Sequence, residues 1–161
     1  MRDDADDALV FRSAHPGDAD AIRGLVLRAY AKWVPVVGRE PRPMTADYDR
    51  AVLEHDFDLA FAAGALAGLA ETELRADHLW IENLAVAPEA QGRGLGRLLL
   101  ARAQTRALSA GRGEIRLLTN SAMLANIALY EHLGYVRTHV EPYAGGSIVH
   151  MARTLRGGQR A

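Results

Sequence analysis

Cysteine is absent from the 161 residues of the sequence. This absence excludes disulfide bonds, thiol catalysis and cysteine-ligated zinc, and we expect the protein to act in a reducing cytoplasm. No apolar run approaches the roughly 20 residues that are needed to span a bilayer, so we expect no membrane partner. The six histidines show no metal-ligand spacing, and we therefore expect no metal cofactor.

An excess of charge of either sign is also missing, because 19 lysines and arginines face 20 aspartates and glutamates. The formal net charge of −1 argues against a non-specific nucleic-acid partner. Lys32 is the only lysine, and the arginine-rich composition suggests a GC-rich bacterial source. The length fits a single domain over residues 1–161, with an ordered core at about 8–156 and flexible tails at 1–7 and 157–161.

The apolar pattern predicts the element order β-α-α-β-β-β-α-β-α-β-β. The proline-rich stretch 31–44 is expected to be a loop, after which Thr45 begins the second helix. A helix crosses between strands 78–86 and 114–120, so these two strands should be parallel. The fold class is α+β, with one mixed sheet of about seven strands and helices on both faces. Strands are expected at 9–13, 57–63, 65–75, 78–86, 114–120, 135–143 and 147–155.

A glycine-rich loop lies at the centre of this pattern. Strand 78–86 ends before Pro88, and Gly92, Gly94 and Gly96 then open an amphipathic helix. Backbone N–H groups at a helix start have no carbonyl partner in the helix, and the helix dipole adds positive charge there. The two arginines of the loop add formal charge. A pyrophosphate is the expected guest.

Spacing separates three kinds of glycine loop. A P-loop would need lysine and serine or threonine after its last glycine, but Arg97 follows Gly96. A dinucleotide fingerprint would read G-x-G-x-x-G, which the G-x-G-x-G spacing matches poorly. The third pattern, Q-x-x-G-x-G after a strand that ends in Val-x-Pro, is matched by Gln91, Gly94 and Gly96. It resembles the coenzyme A (CoA) pyrophosphate loop of the GNAT superfamily of N-acetyltransferases.

A second motif supports this resemblance. The segment 126–135, which contains Asn126, Tyr130 and Gly134-Tyr135, looks like a segment found in the same family. The element order is also that of the family, so the resemblance covers nearly the whole chain. Segment 38–44 resembles a loop of bacterial members whose substrates are mostly undefined.

The resemblance implies how acetyl-CoA, the cosubstrate, is bound. A bulge is expected near Asn83-Leu84, with a V-shaped gap between 78–86 and 114–119. Pantetheine would lie in this gap, and a backbone N–H near Leu84 would polarise the thioester carbonyl. The cofactor-binding residues implied by the family are Leu84, Ala85, Val86, Gln91, Gly92, Arg93, Gly94, Leu95, Gly96, Arg97, Asn126 and Tyr130.

The resemblance implies one catalytic residue, Tyr130, and the position of Glu82 on the central strand suggests a second. Tyr130 would protonate the leaving thiolate as general acid. Glu82 is the expected general base, and simple alternation places it on the same face of the strand as Leu84. Glu71 and Glu73 on the neighbouring strand, or a water molecule, remain alternatives.

The acceptor pocket is expected around segment 31–44. Its candidate residues are Tyr30, Trp33, Arg39 and Met44, together with Glu82, whereas Tyr48 fits ordinary packing better. The acceptor can be an antibiotic, polyamine, amino acid, metabolite or protein N-terminus, and the lack of an acidic pocket signature disfavours polycationic ones.

The predicted activity is transfer of an acetyl group from acetyl-CoA to a primary amine of a small molecule or peptide. The alternative is a catalytically silent CoA-binding sensor or regulatory module on the same fold. The terminal hairpin can supply the edge of a homodimer.

Overall fold

Seven β-strands form one mixed sheet within residues 8–156, the part of the chain that the computed structural model describes. They are β1 (Leu9–Ser13), β2 (Asp56–Ala62), β3 (Ala65–Leu74), β4 (Leu79–Val86), β5 (Glu114–Asn120), β6 (Val136–Tyr143) and β7 (Gly146–Thr154). Their order across the sheet is β1-β2-β3-β4-β5-β7-β6, and only β4 and β5 are parallel neighbours. The expected tails lie outside the described residues.

Five helices accompany the sheet in the same part of the chain. They are α1 (Ala19–Tyr30), α2 (Val34–Val37), α3 (Tyr48–Glu54), α4 (Leu95–Ser109) and α5 (Leu124–His132). Side chains of α1 and α3 form an apolar core on one face of the sheet, and those of α4 and α5 form cores on the other. The predicted α+β class, with a mixed sheet and helices on both faces, is confirmed.

The segment 31–44 is not a loop throughout, as the sequence led us to expect. Helix α2 is a single turn with Pro35 near its start, and Gly38 ends it at a φ of 85° with its N–H bound to the carbonyl of Val34. Thr45 ends a short 3₁₀ turn rather than beginning a helix. Helix α3 begins at Tyr48, because the carboxylate of Asp47 accepts the N–H of Arg50 and caps it.

Strand β4 contains a β-bulge at Glu82. Asn83 pairs with Glu71 of β3 and Ile81 pairs with Thr72, so Glu82 has no partner on that strand. The bulge lies just before the position that the family resemblance implied. Ile81 and Leu84 consequently both pack on the α4 side of the sheet.

Glu82 lies on the opposite face from Leu84, so the face predicted by simple alternation is wrong. Trp80 pairs with Glu73 of β3, which is on the same face as Leu69 in the core under α1. The indole Nε1 of Trp80 donates to Glu82 Oε2 at 2.7 Å and places that carboxylate on the α1 and α3 side. The bulge is the physical reason, because an extra residue reverses the alternation that follows it.

Strands β4 and β5 separate after a short stretch of pairing. Only Leu79 with Ile115 and Trp80 with Arg116 are paired, although β4 continues to Val86 and β5 to Asn120. Each strand stays paired along its other edge, β4 with β3 and β5 with β7. The expected V-shaped gap is therefore present, and it opens at the carboxyl ends of the two parallel strands.

A glycine in β3 brings the start of α4 close to the sheet. A Cβ at Gly68 would lie 3.0 Å from Leu95 Cδ2 and 3.2 Å from the carbonyl oxygen of Ala85. Only glycine leaves room for this approach, and it places the first turn of α4 beside the gap.

Among the described residues, no helix is long and apolar enough to cross a membrane. In the same residues, no group of three or more histidine, aspartate or glutamate side chains is placed to hold a metal ion.

Candidate active site

A cleft of about 520 Å³ lies along the part of β4 that has separated from β5. The end of α1, strand β4, the glycine loop and α5 form its walls. Tyr30 and Trp33, expected around the acceptor, line it as well. The expected cofactor residues that line it are Leu84, Ala85, Val86, Gln91, Gly92, Gly94, Leu95, Gly96, Arg97, Asn126 and Tyr130.

The glycine loop presents backbone donors to one end of this cleft. Gly94 caps α4 at a φ of 83°, and the first helical hydrogen bond runs from the N–H of Leu98 to the carbonyl of Gly94 at 3.0 Å. The N–H groups of residues 95–97 therefore have no partner within the helix. Together with the helix dipole and the side chain of Arg97, they suit an anion.

Gln91 and Lys32 join the glycine loop to the rest of the cleft. Gln91 Nε2 donates to the carbonyl of Val86 at 3.0 Å, and Lys32 Nζ donates to Gln91 Oε1 at 2.7 Å. Lys32 thus adds a positive charge at the phosphate end of the cleft. Sequence reasoning did not place Lys32 there, and the only feature that set it apart was that it is the single lysine of the sequence.

Tyr130 projects from α5 into the cleft. Its ring packs edge-on against Tyr135, with 5.7 Å between ring centroids. Its hydroxyl has no hydrogen-bond partner among residues 8–156. Every side-chain polar atom without a partner in these residues is accessible to solvent, so the Tyr130 hydroxyl is reached from the cleft. Burial, followed by the neighbouring Tyr135, raises the pKa of Tyr130 above its ordinary value, and the hydroxyl stays protonated at neutral pH.

Glutamates of β3 and β4 meet on the α1 and α3 face beside the cleft. Glu82 is exposed to solvent, and it does not line the cleft itself. Glu71 is 3% exposed and its Oε1 lies 2.7 Å from His55 Nδ1. Glu73 Oε2 lies 3.9 Å from His55 Nε2, so three carboxylates surround this part of the site.

The Glu71–His55 pair titrates abnormally. Burial raises the pKa of Glu71, although its hydrogen bond to His55 opposes the shift. Burial lowers the pKa of His55, but the hydrogen bond and the charge of Glu71 outweigh it, and the net shift is upward. The pair therefore holds its protons to higher pH than isolated side chains do. Sequence reasoning missed His55, because only the β2–β3 pairing brings it to Glu71.

Three predicted site residues besides Glu82 lie outside the cleft. The guanidinium of Arg39 donates to the carbonyl of Ala144 at 2.7 Å and lies over the ring of Tyr143, which ties segment 31–44 to the terminal hairpin. Met44 belongs to a 3₁₀ turn and does not reach the cleft. Arg93 lines a smaller hollow near Leu98, so Arg97 is the loop arginine that faces the cleft.

The fold and this site define an acyltransferase that takes its acyl group from a phosphorylated carrier. Unpaired N–H groups and cations lie at one end of the cleft, an unpaired strand edge runs along it, and a protonated hydroxyl stands in its wall. This order suits a phosphate, an extended arm and a leaving group respectively.

Comparison with known proteins agrees with this class. The Acetyltransferase (GNAT) family profile matches residues 25–135. The streptothricin acetyltransferase of Streptomyces lavendulae is 30% identical in an alignment 151 positions long, and the match covers 78% of this chain and 80% of that protein.

Two solved structures show the same fold at lower identity. The PaiA N-acetyltransferase of Thermoplasma acidophilum, in complex with coenzyme A, aligns with a TM-score of 0.76 and 18% identity over 91% of this chain and 99% of its own. The YncA acetyltransferase of Salmonella typhimurium, with its cofactor acetyl-CoA, aligns with a TM-score of 0.70 and 22% identity over 96% and 98%.

The chain belongs to the GNAT family of acetyltransferases. It is an acyltransferase, and acetyl-CoA is its cosubstrate. Family membership favours catalysis over the alternative of a silent CoA-binding sensor.

Replacing Gly94 with alanine should weaken CoA binding by roughly tenfold. A Cβ in the left-handed region costs about 1–2 kcal/mol, and relief of this strain would turn the N–H groups of the helix start away from the phosphates. Isothermal titration calorimetry with CoA measures the effect.

Gly111→Ala is the matched control for this loop. Gly111 has a φ of 74° and equally open surroundings, but it lies in the turn after α4. Both variants should lose similar thermal stability, and only Gly94→Ala should lose CoA affinity. Wild-type affinity in Gly94→Ala would show that the loop does not hold the phosphates.

Proposed function

We propose that this enzyme transfers the acetyl group of acetyl-CoA to a primary amine of a cationic small molecule in the bacterial cytoplasm. The observation that supports it most is that one cleft brings together the free helix-start N–H groups, the unpaired β4 edge and the Tyr130 hydroxyl. Residues 1–161 are proposed to be one acetyltransferase domain.

Acetyl-CoA is proposed to lie along this cleft. The N–H groups at the start of α4 would hold its pyrophosphate, with Arg97 and Lys32 supplying charge. The pantetheine amides would pair with the free edge of β4 at Leu84 and Val86, as an added strand does. Asn126, one helical turn before Tyr130, would contact the same arm.

The proposed reaction is aminolysis of the thioester. The nitrogen lone pair attacks the carbonyl carbon, the C–N bond forms, and the C–S bond breaks. Tyr130 gives its proton to the departing sulfur, and the N–H proton of the amine passes to a base. The Tyr130 hydroxyl lines the cleft and carries its proton at neutral pH, as a donor to the departing thiolate must.

Glu82 is the proposed base, acting through a water molecule. Its carboxylate is exposed to solvent, is held by the indole N–H of Trp80, and lies one residue from Asn83 at the bulge. A carboxylate on this face can collect the proton without occupying the cleft itself. Glu71 and Glu73 remain the alternative carboxylates.

A cationic acceptor is supported by the charge around the proposed base. Glu71, Glu73 and Glu82 lie together on the α1 and α3 face, and the side chains of His55 and Arg75 offset only part of their charge. The sequence did not indicate an acidic pocket, because these glutamates come from two strands. The relative from Streptomyces lavendulae is named for streptothricin, which makes that antibiotic the first acceptor to test.

Thiol release from acetyl-CoA tests this function, with streptothricin and cadaverine as acceptors. Wild type should release CoA in an amine-dependent way, and Tyr130→Phe should lower kcat by roughly 10²- to 10⁴-fold while its acetyl-CoA affinity stays unchanged. Tyr143→Phe, which removes an exposed hydroxyl from the terminal hairpin, is the control. Full activity in Tyr130→Phe would exclude the general-acid role, and no turnover of any amine by wild type would overturn the function.

Three glutamine substitutions rank the candidate bases. Glu82→Gln should lower kcat by roughly 10²-fold, since it removes the proton acceptor but keeps the shape of the side chain. Glu73→Gln and Glu71→Gln should lower it less, and steady-state kinetics at saturating acetyl-CoA gives the comparison. A larger loss of kcat in Glu71→Gln would identify Glu71 as the base. Small losses of kcat in all three variants would show that water alone accepts the proton.

We also propose that β6 forms the contact of a homodimer. It is an edge strand, all eight of its residues are exposed, and Val136 and Val140 are 63% and 55% exposed. Light scattering should give twice the chain mass of 17.5 kDa. Val140→Glu should give the monomer mass, whereas Leu53→Glu, on the exposed side of α3, should not. A wild-type monomer would exclude this contact.

A further inference from the structure

A chain of hydrogen bonds runs from the acceptor segment to the cleft. Tyr48 Oη lies 2.6 Å from the carbonyl oxygen of Pro43, and Asn83 Nδ2 lies 3.2 Å from Tyr48 Oη. Asn83 Oδ1 in turn lies 2.6 Å from Tyr30 Oη. Tyr48 is 1% exposed and Asn83 is 3% exposed, so this series of hydrogen bonds is shielded from solvent up to Tyr30.

The direction of every donor in this chain is fixed by its first member. A backbone carbonyl can only accept, so Tyr48 uses its single proton on Pro43. Tyr48 can then only accept from Asn83, which requires the amide nitrogen to face it. The amide oxygen therefore faces Tyr30, whose hydroxyl must donate to it. A flipped amide would leave two oxygens facing each other at Tyr48 without a proton between them.

Tyr30 consequently offers the cleft an acceptor and no free donor. Its single proton is engaged by Asn83 at 2.6 Å, with a longer contact of 3.3 Å to the carbonyl of Leu84. Burial, then the nearby hydroxyls of Tyr130 and Tyr48 and the charges of Glu71 and Glu82, raise the pKa of Tyr30. Tyr30 therefore keeps its proton and does not serve as an acid or a base.

We propose that Tyr30 orients the substrate amine by accepting one of its N–H groups. This inference rests on the proposed function and adds the residue that aims the nucleophile. With one N–H held by the Tyr30 oxygen beside Leu84, the nitrogen lone pair points at the thioester carbonyl. Holding the attack geometry in this way lowers the entropic part of the barrier.

Protons and bonds balance without any transfer to or from Tyr30. The amine nitrogen bonds to the acyl carbon, and the C–S bond breaks. The second N–H proton goes to the base, and the thiolate receives the proton of Tyr130. The N–H held by Tyr30 remains on the amide product. Tyr48 and Asn83 are positioning residues, because they act through the hydroxyl of Tyr30.

Tyr30→Phe keeps the ring and removes only the acceptor. The kcat/KM for cadaverine should fall by roughly 10- to 100-fold. Acetyl-CoA affinity should stay at its wild-type value, because the thioester binds without the amine. A variant with wild-type kcat/KM for cadaverine would overturn the inference, and so would one that loses acetyl-CoA affinity instead.

Comparison with N,N′-dimethylcadaverine separates a loss of amine orientation from a general loss of activity in the Tyr30→Phe variant. A primary amine has one N–H for Tyr30 and another for the base, whereas a secondary amine has only one for both. Wild type should therefore prefer cadaverine, and this preference should narrow by roughly tenfold in Tyr30→Phe. An unchanged ratio would show that Tyr30 does not hold the N–H, whatever happens to the overall rate.

Tyr48→Phe tests the chain at a distance from the cleft. Without the Tyr48 hydroxyl, the side-chain amide of Asn83 can rotate by half a turn. Its nitrogen can then donate to the Tyr30 hydroxyl oxygen and occupy a lone pair that would otherwise accept from the substrate. The kcat/KM for cadaverine should fall by roughly 3- to 10-fold with acetyl-CoA affinity unchanged. Wild-type kcat/KM would overturn the role of the chain. No turnover of either diamine or of streptothricin by wild type would overturn the proposed function, and this inference with it.

Discussion

The separation of β4 from β5 is the constraint on which the whole site depends. Once the strands part after two paired positions, the inner edge of β4 carries backbone groups that no strand satisfies. Two side chains satisfy some of these groups. Gln91 donates to the carbonyl of Val86, and the hydroxyl of Tyr30 lies 3.3 Å from the carbonyl of Leu84. The rest of this edge has no strand partner and is open to an extended ligand with amide groups of its own. The cleft exists because the sheet is incomplete there, while β3 and β7 hold the outer edges in place.

Charge is divided along this cleft in a way that the composition conceals. The net charge of −1 suggests no preference for any partner. In the fold, Lys32 and Arg97 join the positive end of α4 within the cleft, and Glu71 and Glu82 lie beside it on the α1 and α3 face, near Tyr30. Such a division suits a reaction between an anionic carrier and a cationic acceptor, because each is attracted to charge of the opposite sign.

What the sequence predicted well was set by local chemistry. The glycine spacing, the proline after β4 and the helical pattern of α4 each act within a few residues, and the structure has all three where they were expected. The position of Glu82 could not be predicted from alternation, because the bulge depends on how β4 pairs with β3. His55 and Lys32 were missed for the same reason, since each reaches its partner across a distance in sequence. The short helix α2 was hidden by the prolines around it.

The polarity of the Tyr30 chain also bears on the form in which the acceptor arrives. An ammonium group and a neutral amine both carry N–H groups, so the Tyr30 oxygen can hold either one. A cationic acceptor can therefore dock as the ammonium ion that prevails in water, drawn by the carboxylates of β3 and β4. It can then lose one proton through Glu82 to solvent before the attack, and a second by the same route as the C–N bond forms, while the third N–H stays on Tyr30. Deprotonation creates the lone pair while the nitrogen is already held, so that binding and activation need no second alignment.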